Sequence, residues 1–144
     1  MKGLGVVGEK SYAFAIRIVN AYKILCRNNP KNPQPAPKLI VNAYKILCRN
    51  NEFVLSKQLL RSGTAIGALC SEAQHAQSKA DFLNKMNIAL KEANETTYWL
   101  NLLKDTDYLD VDLYEPLIHD CLELVKILTK TVKTTKENLR KGCL

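Results

Sequence analysis

Apolar residues recur at three- and four-residue intervals along almost the whole chain, the period of helices that bury one face. No stretch sustains the alternation of a strand, and glycine is scarce after residue 8. The clearest run is Phe82, Met86, Ala89, Ala93, Thr96, Leu100 and Leu103, spaced 4, 3, 4, 3, 4, 3. That seam predicts a long helix lying nearly aligned with its partners, and Leu83, Leu90 and Trp99 widen its apolar surface to a second side. Ser78-Lys-Ala-Asp81 predicts its start: a hydroxyl that caps free amides, then a carboxylate suited to the positive helix end. Before it, Leu55, Leu59, Ile66, Leu69 and Ala73 predict another helix, with Ser62-Gly63-Thr64-Ala65 and Gly67-Ala68 in its middle. Glycines there cost about 1 kcal/mol each in helix propensity, so close packing against a neighbouring helix or subunit has to offset them. A last helix is predicted from Leu113 or Glu115 to Arg140, with Leu117, Cys121, Leu124, Leu128 and Thr131/Val132 as its core stripe. Pro116 falls in its first turn and Gly142 serves as its stop. Asp105 to Asp112 reads as an acidic connection.

The N-terminal third holds an exact repeat. Ile18 to Asn29 returns letter for letter as Ile40 to Asn51, separated by the proline-rich run Pro30 to Pro37. Identity over a whole unit points to a recent or engineered duplication, and two units are too few for a solenoid. A first helix is predicted over residues 9–28, with Ala15, Ile18, Tyr22 and Leu25 on one face and Val19 and Cys26 flanking it. The prolines end it and predict an extended spacer. The repeated segment then forms an extra helix over residues 38–51, followed by a short break near Glu52 to Val54. Copy one is expected to fill the helix-one place in the fold, because its longer helix buries Phe14 and Ala15 as well. Copy two is expected to descend parallel to it.

The expected fold from the pattern alone is all-α, one domain over residues 1–144, with residues 30–51 as spacer plus duplicated segment. A chain of 144 residues with 47% hydrophobic content can bury a real core. No apolar stretch approaches the roughly 18 to 20 residues that span a bilayer, and Met1 to Gly8 is too short and glycine-rich for a signal peptide. The expectation is a cytoplasmic protein. Its five cysteines include the duplicated pair Cys26 and Cys48, none forms a C-x-x-C, and most fall on apolar helical positions as buried thiols.

Charge is uneven. Residues 1–58 carry ten Lys/Arg against two acids, residues 59–125 five against eleven, and residues 126–144 six against one. Such a layout suits nucleic-acid contact or complementary packing between subunits. Lys126, Lys130, Lys133, Lys136 and Arg140 form one stripe of the last helix and could track a phosphate backbone or face a partner. Few aromatics interleave with it, which leaves no platform for base stacking. Glu72-Ala-Gln-His75 has the Glu-x-x-His spacing of di-iron bundles, but only one copy exists, so no metal is expected. Glu92 and Glu95 are read as an exposed helical face rather than an acid–base pair. With no Ser-His-Asp order, phosphate loop or zinc spacing, the sequence predicts neither an enzyme, nor a cofactor, nor a small-molecule substrate.

Three blocks carry a family resemblance: Phe53-Val-Leu-Ser-Lys-Gln-Leu-Leu-Arg-Ser-Gly-Thr-Ala-Ile-Gly-Ala68, Glu72-Ala-Gln-His-Ala-Gln-Ser-Lys-Ala-Asp-Phe82 and Ala89-Leu-Lys-Glu-Ala-Asn-Glu-Thr-Thr-Tyr-Trp-Leu100. Together they resemble the bacterial four-helix-bundle proteins encoded in 23S ribosomal RNA intervening sequences, whose relatives are accessory proteins of diversity-generating retroelements. The resemblance covers residues 10–29 and 52–140, with residues 30–51 as an insertion. It implies an all-α, up-down-up-down four-helix bundle with the duplicated segment as an extra helix, a ring-like homopentamer and, for the retroelement relatives, a basic surface that binds nucleic acid and a reverse transcriptase. Arg61, Ser62, Gly63, Ile66, Gly67, Glu72, Glu92, Glu95, Tyr98 and Trp99 match the pattern, so Arg61, Ser62, Gly63, Ile66, Gly67, Glu72, Tyr98 and Trp99 become candidates for a helix or subunit interface. Ala65 and Leu69 stand where the family tends to have Ser and Asn, which would make that contact more apolar. The leading expectation is an oligomeric interaction or scaffold protein. The alternative is an accessory protein that binds RNA or DNA through the basic stripe.

Overall fold

The computed structural model describes the backbone of residues 4–27 and 39–142, and side chains over residues 5–25 and 54–142. These form four helices and no strand among the described residues: α1 (Leu4–Arg27), α2 (Leu39–Ala73), α3 (Lys79–Asp105) and α4 (Val111–Gly142). The prediction of an extra helix is corrected. Copy two does not stand alone, and the helix runs unbroken through Glu52 to Val54. No Gly or Pro lies between Leu39 and Arg61 to stop it. The spacer lies outside the described residues, as do the side chains of copy two, Cys26 and Cys143.

Copy one occupies the core. Val7, Phe14, Ile18, Ala21 and Leu25 are buried together with Ser11, a heptad-like face rotated from the one predicted. Ala15 and Tyr22 are only half-buried flanks. The α3 seam holds from Met86 on: Met86, Ala89, Ala93, Thr96, Leu100 and Leu103 are all buried, while Phe82 is half-buried. Ser78 accepts the Asp81 amide at 3.0 Å and caps the helix, and the Asp81 carboxylate accepts the amide of Gln77, the residue before the cap, at 3.1 Å. In α4 the stripe Leu117, Cys121, Leu124, Leu128 and Val132 is buried. That helix starts earlier than predicted, which puts Pro116 beyond the first turn, on an exposed position.

Successive helices meet with their residue numbers running in opposite senses. A Cβ at Gly63 would lie 2.8 Å from Ile18 Cγ1 and 2.9 Å from Cγ2, while one at Gly67 would lie 3.3 Å from the Ser11 carbonyl oxygen and 3.8 Å from Ala15 Cβ. Thr96 donates to Ser62 at 3.0 Å, joining α2 to α3 through a buried hydroxyl pair. Cys121 donates to the Ala93 carbonyl at 3.3 Å, and Tyr114 to Asn101 at 2.7 Å, joining α4 to α3. No described helix is long and apolar enough to cross a membrane.

The Gly63 contact yields a test. Gly63→Ala should destabilise the fold by about 1 to 3 kcal/mol, because the near end of the branched Ile18 side chain has no room to retreat. In an Ile18→Ala background the clash is gone, and the same change should become neutral or stabilising by up to about 1 kcal/mol through helix propensity. Urea unfolding of the four proteins of this cycle measures the reversal of sign.

Candidate functional site

The residues singled out for an interface divide into two sets. Ser62, Gly63 and Ile66 are buried and Gly67 is half-buried. This set makes the contacts of α2 with α1 and α3 within one chain. One turn before Ala65, Ser62 and Thr96 supply a hydrogen-bonded junction between α2 and α3.

The second set forms an outer cluster on α2 and α3. Arg61 reaches across to α3 and pairs with Glu92 at 3.3 Å and with Glu95, while its Nε donates to Gln58 at 3.2 Å. Trp99 Nε1 donates to the same Glu95 oxygen at 3.0 Å. Tyr98 packs edge-on against Trp99, with ring centroids 4.9 Å apart. Glu92 and Glu95, read as an exposed helical face, are half-buried and paired: i and i+3 on α3 aim both carboxylates at one guanidinium. The Trp99 N–H and the Arg61 guanidinium hold the Glu95 carboxyl below the usual carboxylate range, and Glu95 raises Arg61 in return.

Glu72 and His75 do not share a helix face. Glu72 pairs with Lys85 at 2.6 Å, and His75 lies in the turn that follows the end of α2 at Ala73. Cys70 and Cys121 are buried free thiols; burial raises both, Cys121 to about 11, which keeps them protonated and unreactive. A shallow cleft of about 380 Å³ between the α2–α3 turn and α4 is lined by Ala76, Ser78, Lys79, Phe82, Thr135 and Asn138, and Lys79 is the titratable group among these described residues.

The basic stripe is fully on the surface. Lys126, Lys130, Lys133, Lys136 and Arg140 are exposed. At about 100° per residue they cluster on the side of α4 opposite Leu124 and Leu128. Among the described residues no ion pair engages Lys130, Lys133, Lys136 or Arg140.

Two features escape sequence reading. Lys10 pairs with Glu123 and Arg17 with Asp120, tying α1 to α4; the basic first third and acidic middle are their only sequence signal. Tyr12 is 69% exposed and Ile16 47% exposed, one turn apart on α1. Apolar residues off the core face were the signal for that stripe.

Comparison with known proteins places the chain in a family, with bounds that differ from the resemblance read above: the match takes in residues 34–51 and leaves out 10–29. A family model described as 23S rRNA-intervening sequence protein matches residues 34–130. Among solved structures, the chain is similar to a protein of unknown function from the S23 ribosomal protein family of Bacteroides thetaiotaomicron. The two share 49% identity over 91% of this chain and 98% of that one, with a TM-score of 0.71. No curated protein matches the chain.

The outer cluster carries its own reporter, since Trp99 is the one tryptophan. A carboxyl depressed by folding stabilises the protein above its unfolded value, near 4.5, and that contribution disappears as pH falls through the lower folded value. Trp99 fluorescence should therefore titrate below about pH 4.5, and Glu95→Gln should abolish that phase. Because the pair is substantially exposed, the same change should cost no more than about 1 kcal/mol at pH 7 in denaturant unfolding.

Proposed function

Because the chain belongs to the 23S rRNA-intervening sequence protein family, we propose that it is a non-enzymatic interaction or scaffold protein. It works in the cytoplasm as an up-down-up-down bundle assembled into a homo-oligomer, with a pentameric ring as the form the family resemblance favours. The observation that carries this reading is the apolar stripe of Tyr12 and Ile16 on the outside of α1. Water-exposed apolar surface of this kind marks an association site when it is contiguous, and Val19, half-buried, extends it by one turn. No cofactor or small-molecule substrate enters the reading.

Light scattering tests it. The protein should have a mass several times that of its 16.2 kDa chain, five times for the ring. Tyr12→Lys/Ile16→Lys should reduce it to a single chain while helix content stays unchanged. A monomeric unsubstituted protein overturns the proposal.

A second reading, binding of RNA or DNA, is supported by the unpaired cations of the α4 stripe. Lysines already paired within the chain would have fewer counterions to release; these have no such partners among the described residues. Binding should be strong at low salt and weaken linearly in log–log form. Changing Lys130 and Lys133 to Glu should make that slope shallower by about one for each phosphate that the two lysines had neutralised. Absence of affinity at low salt rules this reading out.

A further inference from the structure

The duplication leaves the helix-one slot with two sequences able to fill it. In the slot, copy one buries Ile18, Ala21 and Leu25. Copy two offers the same residues in the same order as Ile40, Ala43 and Leu47. The family model, which spans residues 34–130, takes in copy two and leaves out copy one, so copy two joined to the rest of the chain also satisfies the family's sequence pattern.

We propose that the slot of one chain accepts copy two of a second chain, so that two molecules exchange these segments across a straight α2. The register supports this geometry. Ile18 lies on Gly63, with α1 and α2 running in opposite senses. Replacing Ile18 by Ile40 of another chain sets the two α2 helices antiparallel, each Ile40 on the other's Gly63. The helices then cross at Asn51–Glu52, midway between residues 40 and 63. Each chain gives and receives the same surface, so the contact is isologous and closes as a two-fold dimer. It also needs no bend in α2, which is already helical from Leu39 to Ala73. Filling the slot of its own chain would instead require copy two to melt that helix and reverse direction near Asn51.

Copy one holds the slot in the unsubstituted protein for a reason visible in the core. It also buries Val7, Ser11 and Phe14. The residue of copy two's approach that corresponds to Ser11 is Pro33, and the one that corresponds to Ala15 is Pro37. These prolines prevent copy two from extending its helix to match. The exchanged form is therefore the minor one until copy one is weakened.

Three full-length variants test the exchange, all carrying Tyr12→Lys/Ile16→Lys so that assembly through the outer α1 stripe does not enter the mass. Ile40→Asp should match its parent in mass and melting. Ile18→Asp, which expels copy one, should still unfold cooperatively and have twice the 16.2 kDa chain mass. The double variant Ile18→Asp/Ile40→Asp should lose cooperative unfolding, a non-additivity expected of two segments that compete for one place. The proposal is overturned if Ile18→Asp unfolds as completely as the double variant. It is equally overturned if Ile18→Asp stays folded at the mass of one chain, which would mean that copy two fills its own slot.

Discussion

The missing side chain at Gly63 is the constraint on which the rest of this structure depends. Ile18 sits where a Cβ at that position would be, so α1 and α2 approach by their backbones and their register is fixed. On the neighbouring flank of the same helix, Ser62 takes a hydrogen bond from Thr96 and fixes α3. Two adjacent residues thus seat α2 between its neighbours, one by having no side chain and the other by a buried hydroxyl. The glycine's low helix propensity is offset by the dispersion contacts that close approach permits.

Charge follows from that register. Once α1 lies against both α2 and α4, Lys10 and Arg17 reach Glu123 and Asp120, and Arg61 reaches Glu92 and Glu95. Part of the basic–acidic imbalance along the sequence is thereby matched inside one chain. Among the described residues the cations of the α4 stripe have no such match, because their side of α4 turns away from the core stripe. These are exposed pairs, and they orient surfaces more than they stabilise the fold.

Much of this was legible in the residues. The 4,3 spacing of α3 and its Ser78–Asp81 cap translate directly into structure because periodicity and capping are local. The break expected at Glu52 to Val54 was not there, and the repeat explains why. The same twelve residues that end α1 at Arg27 run on inside α2. In the first copy Pro30 follows closely and disfavours helix in the residue before it; in the second, Glu52-Phe-Val-Leu55 gives the helix nothing to stop at. For the candidate site, Arg61, Glu92, Glu95 and Trp99 could be named from their family pattern, but their convergence on one guanidinium depends on helices meeting across 34 positions of chain.

By itself the sequence determined the helical periodicity, the seam of α3 and a stripe of cations along α4, since each is written in the spacing of neighbouring residues. Only the tertiary structure decided that copy two continues into α2 instead of standing as a helix of its own, whereas copy one was expected in the bundle from the residues before it. Identical segments have identical local preferences, so the choice passes to what lies outside them. Val7, Ser11 and Phe14 precede one copy and extend its buried face, whereas prolines precede the other and cannot.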